Sequence, residues 1–105
     1  MSAYVVVEVT VRDAETYEGY KLMAPSSIGQ YGGHYLVRGG TIETLEGAWA
    51  PKRLVVLEFP TAERARAWWN SAEYAPAKAI RQGCTETNMV LIDGPAFDPR
   101  PGARV

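Results

Sequence analysis

The stretch from Arg53 to Tyr74, RLVVLEFPTAERARAWWNSAEY, restricts this chain more than any other. Leu54 to Phe59 form a strand-like apolar run, Pro60 has no N–H to give to a sheet ladder, and Thr61 supplies the side-chain oxygen that caps a helix. Strand, stop and helix therefore follow without a spare residue. Ala62, Ala65, Trp68, Trp69 and Ala72 trace the apolar face of that helix, Ser71 marks a local break, and Tyr74, Ala77 and Ile80 carry the stripe onward. The join defines an architecture but contains no complete catalytic motif.

Earlier in the chain, YVVVEVTV at 4–11 is rich in β-branched residues and reads as the first strand. Its alternation puts Val5, Val7, Val9 and Val11 on one face and Tyr4, Val6, Glu8 and Thr10 on the other. Asp13 is placed to cap a helix, with Glu15 near the positive end of its dipole. Tyr17, Tyr20, Ala24, Ile28 and Tyr31 give that helix one apolar stripe, which Pro25 kinks or restarts, and Gly32 and Gly33 end it. HYLVR at 34–38 reads as the second strand, with Tyr35 and Val37 on the core face and His34, Leu36 and Arg38 opposite. Because TIETLE resumes alternation, the pair Gly39 and Gly40 reads as a bulge or sharp bend within one long strand. GAWAPK at 47–52 is a turn that returns the chain antiparallel. The third strand faces Val55, Leu57 and Phe59 to the core; Gly83 caps the last helix, and NMVLI at 88–92 is the fourth strand.

The order β-α-β-β-α-β predicts an α+β domain of ferredoxin-like type, with both helices on one face of a four-stranded antiparallel sheet. One domain over 1–94 is expected, followed by a Pro- and Gly-rich tail over 95–105 that is either disordered or laid over a neighbouring surface. Tyr4, Val6, Leu36, Leu54, Val56, Val90 and Ile92 share the outer sheet face with Glu8, Thr10, His34, Arg38 and Glu58. That many aliphatic residues predict a covered face, and a second copy of the chain is the expected cover. The partner is therefore itself, as a homodimer.

With 105 residues the chain has room for a single core. Its net charge of −1 comes from interspersed charges, which argues against nucleic acid or an anionic membrane surface as partner. The absence of a long apolar run and of a signal-like N-terminus, together with a single cysteine, Cys84, predicts a cytoplasmic protein without disulfides.

RGG at 38–40, LEG at 45–47, RLVVLEFP at 53–60 and AWWNSAEY at 67–74, with the later Arg81, resemble the 1330 family of domains of unknown function. The resemblance spans roughly residues 3 to 94 and points to the dimeric α+β barrel superfamily, whose relatives include cofactor-free monooxygenases, muconolactone isomerase and haem-degrading enzymes. It implies a dimer, and it opens the possibility of a cofactor-independent enzyme of monooxygenase or isomerase type acting on a small aromatic or polyketide-like molecule. A non-catalytic binding dimer and an accessory subunit are the alternatives.

The catalytic candidates are His34, Arg38 and Tyr74. His34 is the one histidine and is a candidate general base, although a lone histidine is commonly an ordinary surface or interface residue. It lies on a strand, not on a helix as in the haem-binding relatives, so haem is not expected. No local ligand spacing predicts a metal either. Glu8, Arg38 and Glu58 are expected together on the outer face, where they either bind an anion or neutralise one another across an interface. Tyr17, Tyr31, Trp68, Trp69 and Tyr74 either fill the core or line a cleft between helices and sheet. Two adjacent tryptophans cannot both point into the core from one regular helix.

Overall fold

The computed structural model describes residues 2–94. The expectations for 95–105 lie outside them. Seven elements follow in the order β1 (Ala3–Val11), α1 (Ala14–Gln30), β2 (His34–Arg38), β3 (Arg53–Phe59), α2 (Ala62–Trp69), α3 (Ala75–Cys84) and β4 (Thr85–Asp93). The sheet is antiparallel in the order β2-β3-β1-β4, so the two valine-rich strands are central and the helices lie on one face. The fold is ferredoxin-like.

Local chemistry sets the helix boundaries. Asp13 accepts from the Thr16 N–H and caps α1; Thr61 accepts from the Arg64 N–H and caps α2. At the far end of α1, Gly32 at φ 79° lets its own N–H reach Gly29 O and the Gly33 N–H reach Ile28 O, the paired bonds of a Schellman stop. Pro25 does not interrupt α1. Its missing N–H leaves the Lys21 carbonyl without its i+4 donor, and the Arg38 guanidinium donates to that oxygen at 2.6 Å.

The helical stretch after Pro60 is two helices. Asn70 closes α2, and the Ser71 hydroxyl accepts from the Tyr74 N–H while donating to Trp68 O, which builds the turn into α3. Two expected boundaries are corrected. Gly83 is not a cap: it stays helical, α3 ends at Cys84, and β4 begins at Thr85, earlier than Asn88. The Cys84 carbonyl accepts from the N–H groups of Arg12 and Asp13, which ties this corner to the end of β1.

The second strand is corrected in a way that matters more. It stops at Arg38 instead of running through TIETLE; Gly39 and Gly40, at φ 78° and 114°, turn the chain into a loop that leads to β3. The irregularity lies earlier, because Tyr35 pairs with Leu57 but Val37 pairs with Val56, a bulge that breaks the alternation. Val37 is thereby turned to the outer face and is 45% exposed, while Arg38 pairs with Val55 on the helix side.

The core lies between sheet and helices. Val5, Val7, Val9, Val55, Leu57 and Phe59 meet Tyr17, Ala24 and Ile28 of α1 and Ala65, Trp68, Tyr74 and Ala77 of the second half. Trp68, 1% exposed, packs 5.4 Å from the Phe59 ring and 4.1 Å from the Tyr74 ring, and its indole N–H donates to Ser27 Oγ. Burial of these large aromatics and of the valines beneath them stabilises the fold. Among the described residues, no helix is long and apolar enough to cross a membrane.

Candidate functional site

A narrow cleft runs between α1, the sheet and α3. Val7, Val55 and Leu57 form its floor, and Tyr17, Tyr20 and Tyr35 form its sides. At its depth the Tyr20 and Tyr74 hydroxyls lie 3.0 Å apart, and Arg81 Nε donates to the Tyr74 oxygen at 3.3 Å. Burial, followed by the neighbouring Tyr74 phenol, holds the Tyr20 pKa far above the usual phenol range, so Tyr20 stays a hydrogen-bond donor. A single O···O contact uses one hydroxyl proton; the other has no acceptor among the described residues.

Arg81 is the more unusual member of the cluster. It is 3% exposed, and its Nη2 has no hydrogen-bond partner among the described residues. A buried guanidinium N–H left without an acceptor costs stability, and no carboxylate lines the cleft to offset the charge. Instead, Lys21, Arg38 and Arg53 line its mouth. Arg53 Nε donates to the Tyr17 hydroxyl at 3.1 Å, and the Arg38 guanidinium lies 4.5 Å from the centre of the Tyr35 ring. Burial raises the Tyr35 phenol pKa as well. These contacts leave about 20 Å³ of enclosed space, roughly that of one ordered water.

The sequence-derived candidates separate into two groups. Tyr17, Arg38 and Trp68 line the cleft, and Tyr74 reaches it through its hydroxyl bond to Tyr20. His34 and Glu58 lie on the other side of the sheet, 3.1 Å apart, the histidine exposed and the carboxylate half-buried. Hydrogen bonds from the Ser2 and Tyr4 side chains, with His34 beside it, keep the Glu58 carboxyl below the usual range. The expected set of Glu8, Arg38 and Glu58 does not assemble, because the bulge moves Arg38 across the sheet. Glu8 is held instead by the Trp49 indole N–H at 2.8 Å and by Asn88 Nδ2 at 3.1 Å. Tyr31 is corrected too: it hydrogen-bonds Glu73 on the outside of the molecule. Trp69 lies beyond Trp68, beside two open hollows of about 300 and 360 Å³ along β4.

Arg81, Tyr20, Arg53 and Tyr35 were not among the expected site residues. For Arg81 a signal exists in the spacing: Tyr74, Ala77, Arg81 and Cys84 recur at three, four and three, which places an arginine inside an apolar stripe. Among the described residues no three His, Cys, Asp or Glu side chains come together to hold a metal ion.

Residues 2–95 match the family described as "Domain of unknown function (DUF1330)". This chain belongs to the DUF1330 family. No curated protein matches it. Among solved structures, the chain is similar to the RPA0582 protein of unknown function from Rhodopseudomonas palustris, at 16% identity and a TM-score of 0.76, covering 91% of this chain and 84% of that one. It is also similar to SnoaB, a cofactor-independent oxygenase from Streptomyces nogalater, at 12% identity and a TM-score of 0.62, covering 94% and 98%. A dimeric protein of unknown function and ferredoxin-like fold from Bacteroides fragilis matches at 13% identity and a TM-score of 0.52, covering 89% and 96%. At these identities the similarity establishes the shared fold of this DUF1330 protein and nothing finer.

Proposed function

We propose that this protein is a small homodimeric enzyme of cofactor-independent oxygenase or isomerase type, acting on a small aromatic or polyketide-like molecule in the cleft beneath its helices. The observation that carries the reading is the Tyr20–Tyr74–Arg81 cluster at the depth of an aromatic cleft. Oxygen insertion without a cofactor and carbonyl-type isomerisation both proceed through an enolate or phenolate. A guanidinium N–H and a protonated phenol stabilise such an oxyanion, most strongly where water is excluded. In the oxygenase case the substrate supplies the electrons. A ring methylene loses two hydrogens and gains one oxygen atom of O₂, which gives C=O plus one water. SnoaB, a cofactor-independent oxygenase of similar fold, supports this class.

The homodimer is supported by the outer sheet face, where Leu36, Val37, Val90 and Ile92 are each 45–57% exposed. The β2 bulge brings Val37 to this face and takes Arg38 away, making it more apolar than strict alternation would. The Bacteroides fragilis protein of similar fold is itself a dimer.

A second reading, a binding dimer without catalysis, is favoured by one fact: neither a carboxylate nor a histidine lines the cleft to remove a proton. A panel of two- and three-ring hydroxyaromatic ketones separates the two, with oxygen uptake and product mass as readouts. Turnover that falls at least tenfold in Tyr74→Phe supports the enzyme. Binding without turnover selects the binding dimer, and neither binding nor turnover defeats both.

A further inference from the structure

Four cations, Lys21, Arg38, Arg53 and Arg81, line the cleft with no acidic side chain among them. Lys21 is matched by Glu18 at 2.9 Å on the surface. The three arginines have only neutral partners: a carbonyl for Arg38, the Tyr17 phenol for Arg53 and the Tyr74 phenol for Arg81. Arg81 is the decisive member, because a nearly fully buried guanidinium keeps one Nη2 group without an acceptor. Desolvated charges are ordinarily neutralised by a partner charge, and the described residues provide none here.

The cations also mark a route. Lys21, Arg38 and Arg53 line both the cleft and an open basin of about 380 Å³ outside it, bounded further by Glu18 and Leu22. An anion entering from the basin meets Arg38 and Arg53 first and Arg81 last. On the way it exchanges the Lys21 carbonyl for its own oxygen as the acceptor of Arg38. The walls between are tyrosine rings and valines, which suit a flat conjugated body and give nothing to the many hydroxyls of a sugar.

We propose that the ligand of this cleft is an organic carboxylate on a planar aromatic or conjugated body, its carboxylate held by Arg81 Nη2 and by the spare hydroxyl proton of the Tyr20–Tyr74 pair. This rests on the reading of the cleft as a small-molecule site and adds the charge of the molecule. Widening the cleft requires the Arg53–Tyr17 and Arg38–Lys21 contacts to open, so binding and release of these arginines are coupled.

The test is calorimetry on the intact chain with matched probes: 2-naphthoate against 2-naphthamide and benzoate against benzamide, equal in shape and different in charge. The expected result is binding of at least one acid, with its amide at least tenfold weaker. Arg81→Gln should abolish the preference for the acid, Arg81→Lys should restore part of it, and Arg38→Gln should weaken the acid several-fold. The acid–amide comparison on the unmodified protein stands even if an Arg81 variant does not fold. Equal binding of acid and amide overturns the anionic ligand and leaves the small-molecule reading intact. An acid preference unchanged in folded Arg81→Gln overturns the role of Arg81, and no binding of any probe counts against both readings.

Discussion

The Arg38 guanidinium donates to the carbonyl of Lys21, the helix oxygen that Pro25 leaves without a donor. A proline inside a helix removes one ladder bond, and here a strand residue supplies the replacement across the cleft mouth. The same contact draws Arg38 back onto α1 and helps to narrow the cleft.

Pro25→Ala returns an N–H to the Lys21 carbonyl and makes the arginine redundant there. In a double-mutant cycle, Arg38→Ala should then cost less stability in the Pro25→Ala background than in the parent. The expected coupling is about 0.5–1 kcal/mol, at the low end for contacting residues because Arg38 is exposed. Urea denaturation of the four proteins measures it; strictly additive effects would show that the carbonyl and the guanidinium are not linked.

Tyr74→Phe keeps the buried ring and deletes the hydroxyl that joins Tyr20 to Arg81. Arg81 Nε then loses its acceptor in a nearly water-free setting, which should lower stability by about 1–3 kcal/mol. A variant as stable as the parent by thermal and urea unfolding would mean that the cluster is not closed in solution.

The raised Tyr20 pKa makes an alkaline prediction. Unfolded tyrosine ionises near pH 10, whereas folded Tyr20 keeps its proton, so above about pH 10 the folded state binds more protons than the unfolded one. Stability from this group is complete below that pH and falls as pH rises beyond it. Tyr20→Phe should flatten the decline between about pH 10 and 11.5, measured by denaturant midpoint, while an unaltered slope would assign the effect to other groups.

Val56 lies on the outer face of a central strand, between Val6 of β1 and Val37 of β2. Val56→Asp puts a charge where a second copy is proposed to pack, and the expected product is a folded monomer. Multi-angle light scattering, with circular dichroism to confirm folding, reads the outcome. A dimer that survives the change refutes the assignment of this face as the interface.

Thr61 caps α2 through a bond from the Arg64 N–H to its hydroxyl at 3.1 Å. Thr61→Ala should cost about 1 kcal/mol. For a domain of this size that is a fall of about 4–8 °C in Tm, measurable by scanning calorimetry. A change within 1 °C would show that Pro60 alone positions the start of the helix.

Local chemistry wrote the element order directly into the chain. Valine runs made strands, Asp13 and Thr61 made caps, Pro60 stopped β3, Gly32 stopped α1, and Ser71 turned α2 into α3. Each of those effects acts over a few residues, so each is visible in a short window of sequence, and together they require the ferredoxin-like sheet. The candidate site was only half legible. Tyr17, Arg38, Trp68 and Tyr74 converge there, but His34 and Glu58 face away across the sheet, and Tyr31 and Trp69 lie outside the cleft. Strand parity is a running count, and the one-residue bulge between Tyr35 and Val37 resets it for everything that follows on β2. Nothing in HYLVR marks that reset, because it is settled by how β2 pairs with β3. Likewise, the position of Arg81 in an apolar stripe shows that it is buried, but only the packing of α3 against α1 and the sheet shows that its Nη2 is left without an acceptor. Charge neutralisation acts through space between elements far apart in the chain, so the tertiary structure alone decided that the buried guanidinium of Arg81 has no carboxylate beside it in the cleft.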